Sequence, residues 1–187
     1  MKPFIGIKKI WYGAVITAAV TPATLKKWLE TATGVKNSHQ DTWGYTEDDP
    51  TTTDYVNELT GKVYYKDVTA KGAKTMAFTM GEYAFEDKKE LQGGELVKDE
   101  LVKDEQTVIG WKEPEVAEVI NKAVVGMTKT GNYIVFTNAA VIGKGNFVEK
   151  NIGLGVSAVA MENSTAGVAG EYWFDGEKVD VPEALPR

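Results

Sequence analysis

The chain contains no cysteine and a single histidine, His39. The first absence removes disulfides, thiolate metal sites and cysteine nucleophiles. The second leaves little for general acid–base work. His39 sits in the polar stretch Lys36-Asn37-Ser38-His39-Gln40-Asp41 with no orienting partner in its pattern, and reads as a surface or turn residue. No G-x-S-x-G nucleophile elbow occurs. A basic excess is missing too: 21 Lys and Arg against 27 Asp and Glu leave a net charge of −6. That speaks against general nucleic-acid binding, which needs a basic stripe, yet suits a surface that repels phosphate. No apolar run reaches the roughly 20 residues that span a bilayer. Residues 11–20 are apolar, but Lys8 and Lys9 break the approach to them, so the N-terminus reads as a first strand or arm rather than a signal peptide. The expectation is a soluble protein without a membrane partner.

What is present suits a globular chain. Its 187 residues, 43% hydrophobic and 26% charged, can bury a substantial core. We expect a single domain over 1–187, with extended arms at about 1–20 and about 180–187. Residues 5–17 are rich in β-branched and aromatic side chains and predict a first strand. Thr21-Pro22 then starts a helix, whose stripe is Leu25, Trp28, Leu29 and Ala32, with Gly34 as its stop. That stripe could cover a sheet face or a neighbouring subunit.

Residues 41–45 predict a short strand, residues 46–54 an exposed acidic loop, and residues 55–65 a strand or hairpin limb. Met76, Phe78 and Met80 share one face of a strand over 74–80, and a short helix over 85–91 is closed by Gly93-Gly94. Leu96-Val97-Lys98-Asp99-Glu100 is repeated at once as Leu101-Val102-Lys103-Asp104-Glu105, a duplication suited to an exposed loop. A strand over 117–128 leads through Lys129-Thr130-Gly131-Asn132 into residues 133–142, which are apolar on both faces and so belong in a two-layer core or against another subunit. Leu154, Val156, Ala158 and Ala160 make another one-faced strand. Glu171-Tyr172-Trp173-Phe174, Asp175-Gly176 and Glu177-Lys178-Val179 predict a tight hairpin with a type I′ turn. The expected fold is mainly β, a sandwich or barrel with one or two flanking helices.

The remaining chemical motifs are weak. Glu47, Asp48 and Asp49 are adjacent, so on extended backbone they point to opposite sides and do not converge on an ion. Asp67 with Glu82 or Glu86 would be a glycosidase-like carboxylate pair only if the fold joined them. Gly143-Lys144-Gly145-Asn146 lacks the spacing of a phosphate loop. Tyr64-Tyr65 and Tyr172-Trp173-Phe174 could stack on sugars, but core or interface packing is the plainer use of such groups. We therefore expect no catalytic residue, cofactor or metal, and a protein that works through its surfaces rather than as an enzyme. A carbohydrate-binding or other β-sandwich binding module stays open.

Four blocks give the chain a family likeness. They are Asp41-Thr42-Trp43-Gly44-Tyr45-Thr46-Glu47-Asp48-Asp49-Pro50, then Asp54-Tyr55-Val56-Asn57-Glu58-Leu59-Thr60-Gly61, then Gly72-Ala73-Lys74-Thr75-Met76-Ala77-Phe78-Thr79-Met80 with its helix and Gly93-Gly94. The fourth runs from Thr137-Asn138-Ala139-Ala140-Val141-Ile142 through Gly145-Asn146-Phe147 to Ile152-Gly153-Leu154-Gly155-Val156-Ser157-Ala158-Val159-Ala160-Met161. In order and spacing these resemble the major tail tube proteins of tailed bacteriophages, particularly those of Bacteroidetes phages and prophages. The resemblance covers roughly two-thirds of the chain. The helix near Pro22 and the doubled Leu-Val-Lys-Asp-Glu segment depart from it.

The resemblance implies a β-sandwich or barrel assembled as hexameric rings that stack into a DNA-conducting tube. It places the protein in the virion tail, and in the bacterial host cytoplasm during assembly, with other tail proteins as partners. Related folds occur in the Hcp-like tube proteins of contractile injection systems. On this reading the candidate inter-subunit contacts are Trp28, Trp43, Tyr45, Asp48, Asp49, Tyr55, Tyr133 and Phe136.

Overall fold

The computed structural model describes residues 1–99, 107–116 and 118–179. In chain order the elements are β1 (Lys9–Gly13), α1 (Pro22–Thr31), β2 (Thr33–Gly34), β3 (Asn37–Ser38), β4 (Gly44–Glu47), β5 (Thr51–Val56), β6 (Val63–Ala70) and β7 (Lys74–Glu82). They continue with α2 (Phe85–Gln92), β8 (Glu95–Lys98), β9 (Val108–Lys112), β10 (Ile120–Met127), β11 (Tyr133–Val148), β12 (Asn151–Ala160), β13 (Glu171–Phe174) and α3 (Gly176–Val179). The fold is mainly β, as expected, with one curled sheet and few helices.

That sheet runs β2-β1-β10-β11-β12-β7-β3, with β13 on β11 and β4 on β7. Every pairing in it is antiparallel. One short stretch joins its two ends. Gly34 pairs with Trp11 of β1, the Val35 amide donates to the Ile10 carbonyl at 2.9 Å, and Asn37 then pairs with Glu82 of β7. The His39 amide extends the second contact, donating to the Thr79 carbonyl at 2.7 Å. Residues 33–39 thus bridge both margins and close the curl, which leaves the sheet an inside and an outside.

Alternation sorts the side chains between those faces. Inside lie Tyr12, Met76, Phe78, Met80, Val124, Ile134, Phe136, Val141, Leu154 and Val156, with Leu91 of α2 among them. Outside, Ala123, Val125, Met127, Tyr133 and Val135 form a second core with Leu25 of α1 and Val179 of α3, joined by Trp28 and Leu29. β11 supplies both cores, which is why residues 133–142 read as apolar on two sides. α2 lies on β11, where a Cβ on Gly143 would stand 2.7 Å from the Leu91 carbonyl oxygen. Its Asp87 accepts from the Ala84 amide at 2.8 Å and from the buried Tyr12 hydroxyl at 2.5 Å, capping the helix and tying it to β1. The β8–β9 hairpin is held to α2 by Trp111, whose indole donates to the Gly93 carbonyl at 2.7 Å and lies under the Lys88 ammonium.

Several expectations need correction. The first strand covers Lys9–Gly13 rather than residues 5–17. Gly6 turns the chain with φ 59°, and after Gly13 it leaves the sheet to reach α1. α1 starts as expected, with the Thr21 side chain accepting from the Thr24 amide and the Thr24 hydroxyl accepting from the Thr21 amide. It ends at Thr31, however, with Ala32 already extended, so Gly34 is a strand residue and not the helix stop. The short strand expected over 41–45 is β4, Gly44–Glu47. The acidic loop expected over 46–54 is mostly strand as well, because Thr51–Val56 finds a ladder partner in β6.

The hairpin expected at Asp175-Gly176 does not form. β13 pairs with β11 instead, while Asp175 accepts from the Glu177 amide at 3.2 Å and starts α3. The second copy of Leu-Val-Lys-Asp-Glu and the expected arm at 180–187 lie outside the described residues. The first residues are tied to their own chain: Asn132 donates to the Lys2 carbonyl at 2.6 Å, and the Lys129 amide to the Ile5 carbonyl at 3.0 Å.

Phe136 is fully enclosed, so Phe136→Ala should cost about 3–5 kcal/mol. Thr21→Ala removes only a cap and should cost about 1 kcal/mol. Urea unfolding of both variants checks the ranking, and equal losses would contradict this account of the core.

Candidate assembly surface

The sheet carries a projection. β4 and β7 pair from Gly44↔Ala77 to Glu47↔Lys74, and the Asp48 amide adds one more rung to the Ala73 carbonyl at 2.9 Å. The ladder then breaks at Asp49-Pro50 opposite Lys71-Gly72 and resumes as β5–β6, from Thr51↔Ala70 to Val56↔Val63. Proline supplies no amide at the break, and Gly72 is required there: a Cβ would lie 1.6 Å from the Asp48 carbonyl oxygen. β5 and β6 form a two-stranded sheet of their own, closed by a turn in which the Gly61 amide donates to the Asn57 carbonyl at 2.8 Å.

This hairpin is uncovered. Tyr55, Val56, Val63, Tyr64, Tyr65 and Val68 are 44–69% exposed, and Leu59 at the tip is 95% exposed. Register divides them between two faces. Tyr55 lies across from Tyr65 with ring centroids 5.6 Å apart, while Val56 and Val68 alternate to the other side with the Asp54–Lys66 ion pair at 2.9 Å. An isolated two-stranded hairpin is marginal in water, and contiguous exposed apolar groups mark contact surfaces.

At the base of the projection a charged cluster joins three strands. Glu171 of β13 accepts from Tyr45 of β4 at 2.9 Å, from the Trp173 indole at 2.7 Å, and from the Lys74 ammonium of β7. Lys74 also lies 3.5 Å from Glu47. Burial by itself would raise the Glu171 carboxyl, but the bonds from Lys74, Trp173 and Tyr45 more than reverse this and hold it below the usual carboxylate range. The bond to Glu171 raises the Lys74 ammonium despite opposing burial. Burial first, and then the Glu171 carboxylate, push the Tyr45 phenol well above its ordinary value.

The candidate contacts divide accordingly. Asp48, Asp49 and Tyr55 are exposed on the ribbon or its break. Trp43 and Tyr45 turn inward onto the inner core, Tyr45 meeting Trp173 edge-on at 5.3 Å. Trp28 packs on the outer core, with its indole donating to the Ala14 carbonyl at 2.9 Å. Tyr133 and Phe136 are 5% and 0% exposed, so they are core residues of this chain and not contact residues. Leu59, Val63 and Val68, which sequence reasoning left out, complete the surface with Tyr64 and Tyr65, which it had read as packing groups. Their alternation was visible, but nothing local says whether an apolar face is covered.

The other chemical candidates stay apart. His39 lies 3.7 Å from the Glu149 carboxylate on the surface. Asp67 is on the projecting hairpin, whereas Glu82 ends β7 at the opposite end of the ribbon and Glu86 is in α2. Tyr172 and Phe174 stack on each other toward the outer core while Trp173 faces the other way, so the three rings do not form one platform. Gly143-Lys144-Gly145-Asn146 is the interior of a strand. Among the described residues no group of three or more His, Cys, Asp or Glu side chains could hold a metal ion. No protein-family model matches the chain, and no curated protein matches it in sequence.

The pKa directions fix the pH dependence. Glu171 titrates lower in the folded than in the unfolded chain, so its contribution is complete above about pH 4.3 and lost as pH falls through the folded value. Lys74 titrates higher when folded, so its contribution is complete below about pH 10.4 and lost as pH rises through the folded value. The stability difference between the parent and Glu171→Gln should therefore shrink on acidification, as read by urea unfolding across the acid range. A difference independent of pH would remove Glu171 from this role.

Proposed function

We propose that this protein is the ring-forming subunit of a phage or prophage tail tube, stacking into a conduit for DNA. The observation that carries the reading is the β5–β6 hairpin, which projects from a closed sheet and bears apolar side chains on both faces. A hairpin apolar on one face needs one cover; apolar on both, it fits between two surfaces, as a subunit meeting a lateral neighbour and the next ring would offer. Head-to-tail stacking of rings is a heterologous contact that does not close, and so builds a filament. The order and spacing of the blocks from Asp41 to Met161 support the same reading.

The net charge of −6 suits a conduit, because carboxylates along a lumen repel DNA phosphates and keep the passing strand from sticking. Hexameric rings and contacts to other tail proteins belong to this proposal, as do the virion tail and the host cytoplasm as its locations. An Hcp-like subunit of a contractile injection system would use the same hairpin and is the second reading. No helix among the described residues is long and apolar enough to cross a membrane.

Negative-stain electron microscopy over a concentration series, with mass from light scattering, tests the proposal. Rings or stacked tubes are expected from the parent chain. Tyr65→Ser with Leu59→Ser should abolish them while shifting unfolding stability by no more than about 1 kcal/mol, the range of the one cross-strand aromatic pair that is lost. Assembly that survives the double substitution would sink the hairpin contact.

A further inference from the structure

The ribbon leaves the body through one break, and among the described residues the hydrogen bonds and ion pair within β5–β6 run between its own two strands. Nothing in the hairpin itself therefore sets its direction. The last structure before the break does: the Glu47↔Lys74 pair, the Asp48–Ala73 rung, and the cluster around Glu171. That cluster brings donors from β4, β7 and β13 onto one carboxylate whose side chain is 11% exposed. Such convergence is directional, because each hydrogen bond to the half-buried carboxylate weakens when the strand that supplies it rotates away. The charged and titratable groups facing Glu171 are Lys74 of β7 and Tyr45 and Glu47 of β4, while Lys71 and Glu162 stand in the wall of the adjoining groove.

We infer that the Lys74–Glu171–Tyr45–Trp173 cluster is a latch that fixes the direction in which the β5–β6 hairpin leaves the body. Glu171 and Lys74 are then positioning residues: they present the hairpin to a second copy of the chain without touching that copy. Gly72 belongs to the same device, since the close approach of Asp48 that it permits brings the two strands together at the break. The consequence for assembly rests on the ring-forming reading, whereas the geometry can be tested in the monomer.

Amide hydrogen exchange in Lys74→Met/Glu171→Leu is the test, because replacing both partners with apolar groups avoids an unpaired buried charge. The Asp48 amide should exchange about ten- to a hundredfold faster than in the parent, the equivalent of losing a charged hydrogen bond, while Val125 and Met127 amides of β10 in the core keep their protection. The absence of cysteine lets a Leu59→Cys/Glu30→Cys pair carry spin labels, and the distance distribution from tip to helix should broaden in the variant.

Unchanged Asp48 exchange would overturn the latch, and so would acceleration shared equally by the core amides, which would make the cluster a general stability element. If the parent chain never assembles, the ring-forming reading fails while the exchange result still decides the latch. If the parent assembles and the variant assembles equally well despite a loosened hairpin, the positioning role is refuted.

Discussion

The structure depends on one strand being apolar on both sides. β11 places Ile134, Phe136 and Val141 inside the closed sheet and Tyr133 and Val135 outside it. The inner set joins β7, β12, β1 and α2, and the outer set joins α1 and α3. Its ladder neighbours are fixed in the same way, with β10 along one edge and β13 followed by β12 along the other. Because the side-chain period of a strand is two, a slip of one residue would exchange the two cores at once. Register is strongly specified here, and the rest of the molecule is built outward from it.

The ribbon that leaves this body follows the opposite rule. In β5–β6 the pairing is continuous but neither face is covered, so the hairpin gains ladder hydrogen bonds without hydrophobic burial. That combination is stable only as an extension of something larger, or against a partner. The break at Asp49-Pro50 and Lys71-Gly72 separates the regimes, with a half-buried ionic cluster on the body side and exposed tyrosines beyond it. The half-buried Glu171 carboxylate at that boundary accepts directional bonds, which specify geometry where apolar packing is tolerant.

Among the described residues no carboxylates gather into a group that could hold a metal ion, and the aromatic triplet of β13 is divided between two faces by alternation. Glu171 and its donors, whose mutual bonds lower the carboxyl and raise the Lys74 ammonium, sit where a strand pair leaves the sheet.

The sequence by itself determined the local choices. Alternation announced Met76, Phe78 and Met80 on one face of β7 and Leu154, Val156 and Ala158 on one face of β12, and Thr21-Pro22 announced α1. These are legible because period and capping act within a few residues. It did not determine partners. Residues 171–174 looked ready to fold back on 177–179, yet the edge of β11 was free to take them and Asp175 could cap a helix. Tyr133 and Tyr55 looked equally suited to an interface, and the fold buried the first and left the second in water. Nor could spacing reveal that Lys74, Tyr45 and Glu171 converge, since they are brought together only by three strands of one curled sheet. Strand pairing is a non-local bond whose cost is chain entropy and whose gain is shared burial, so burial and charge pairing were settled by the tertiary structure alone.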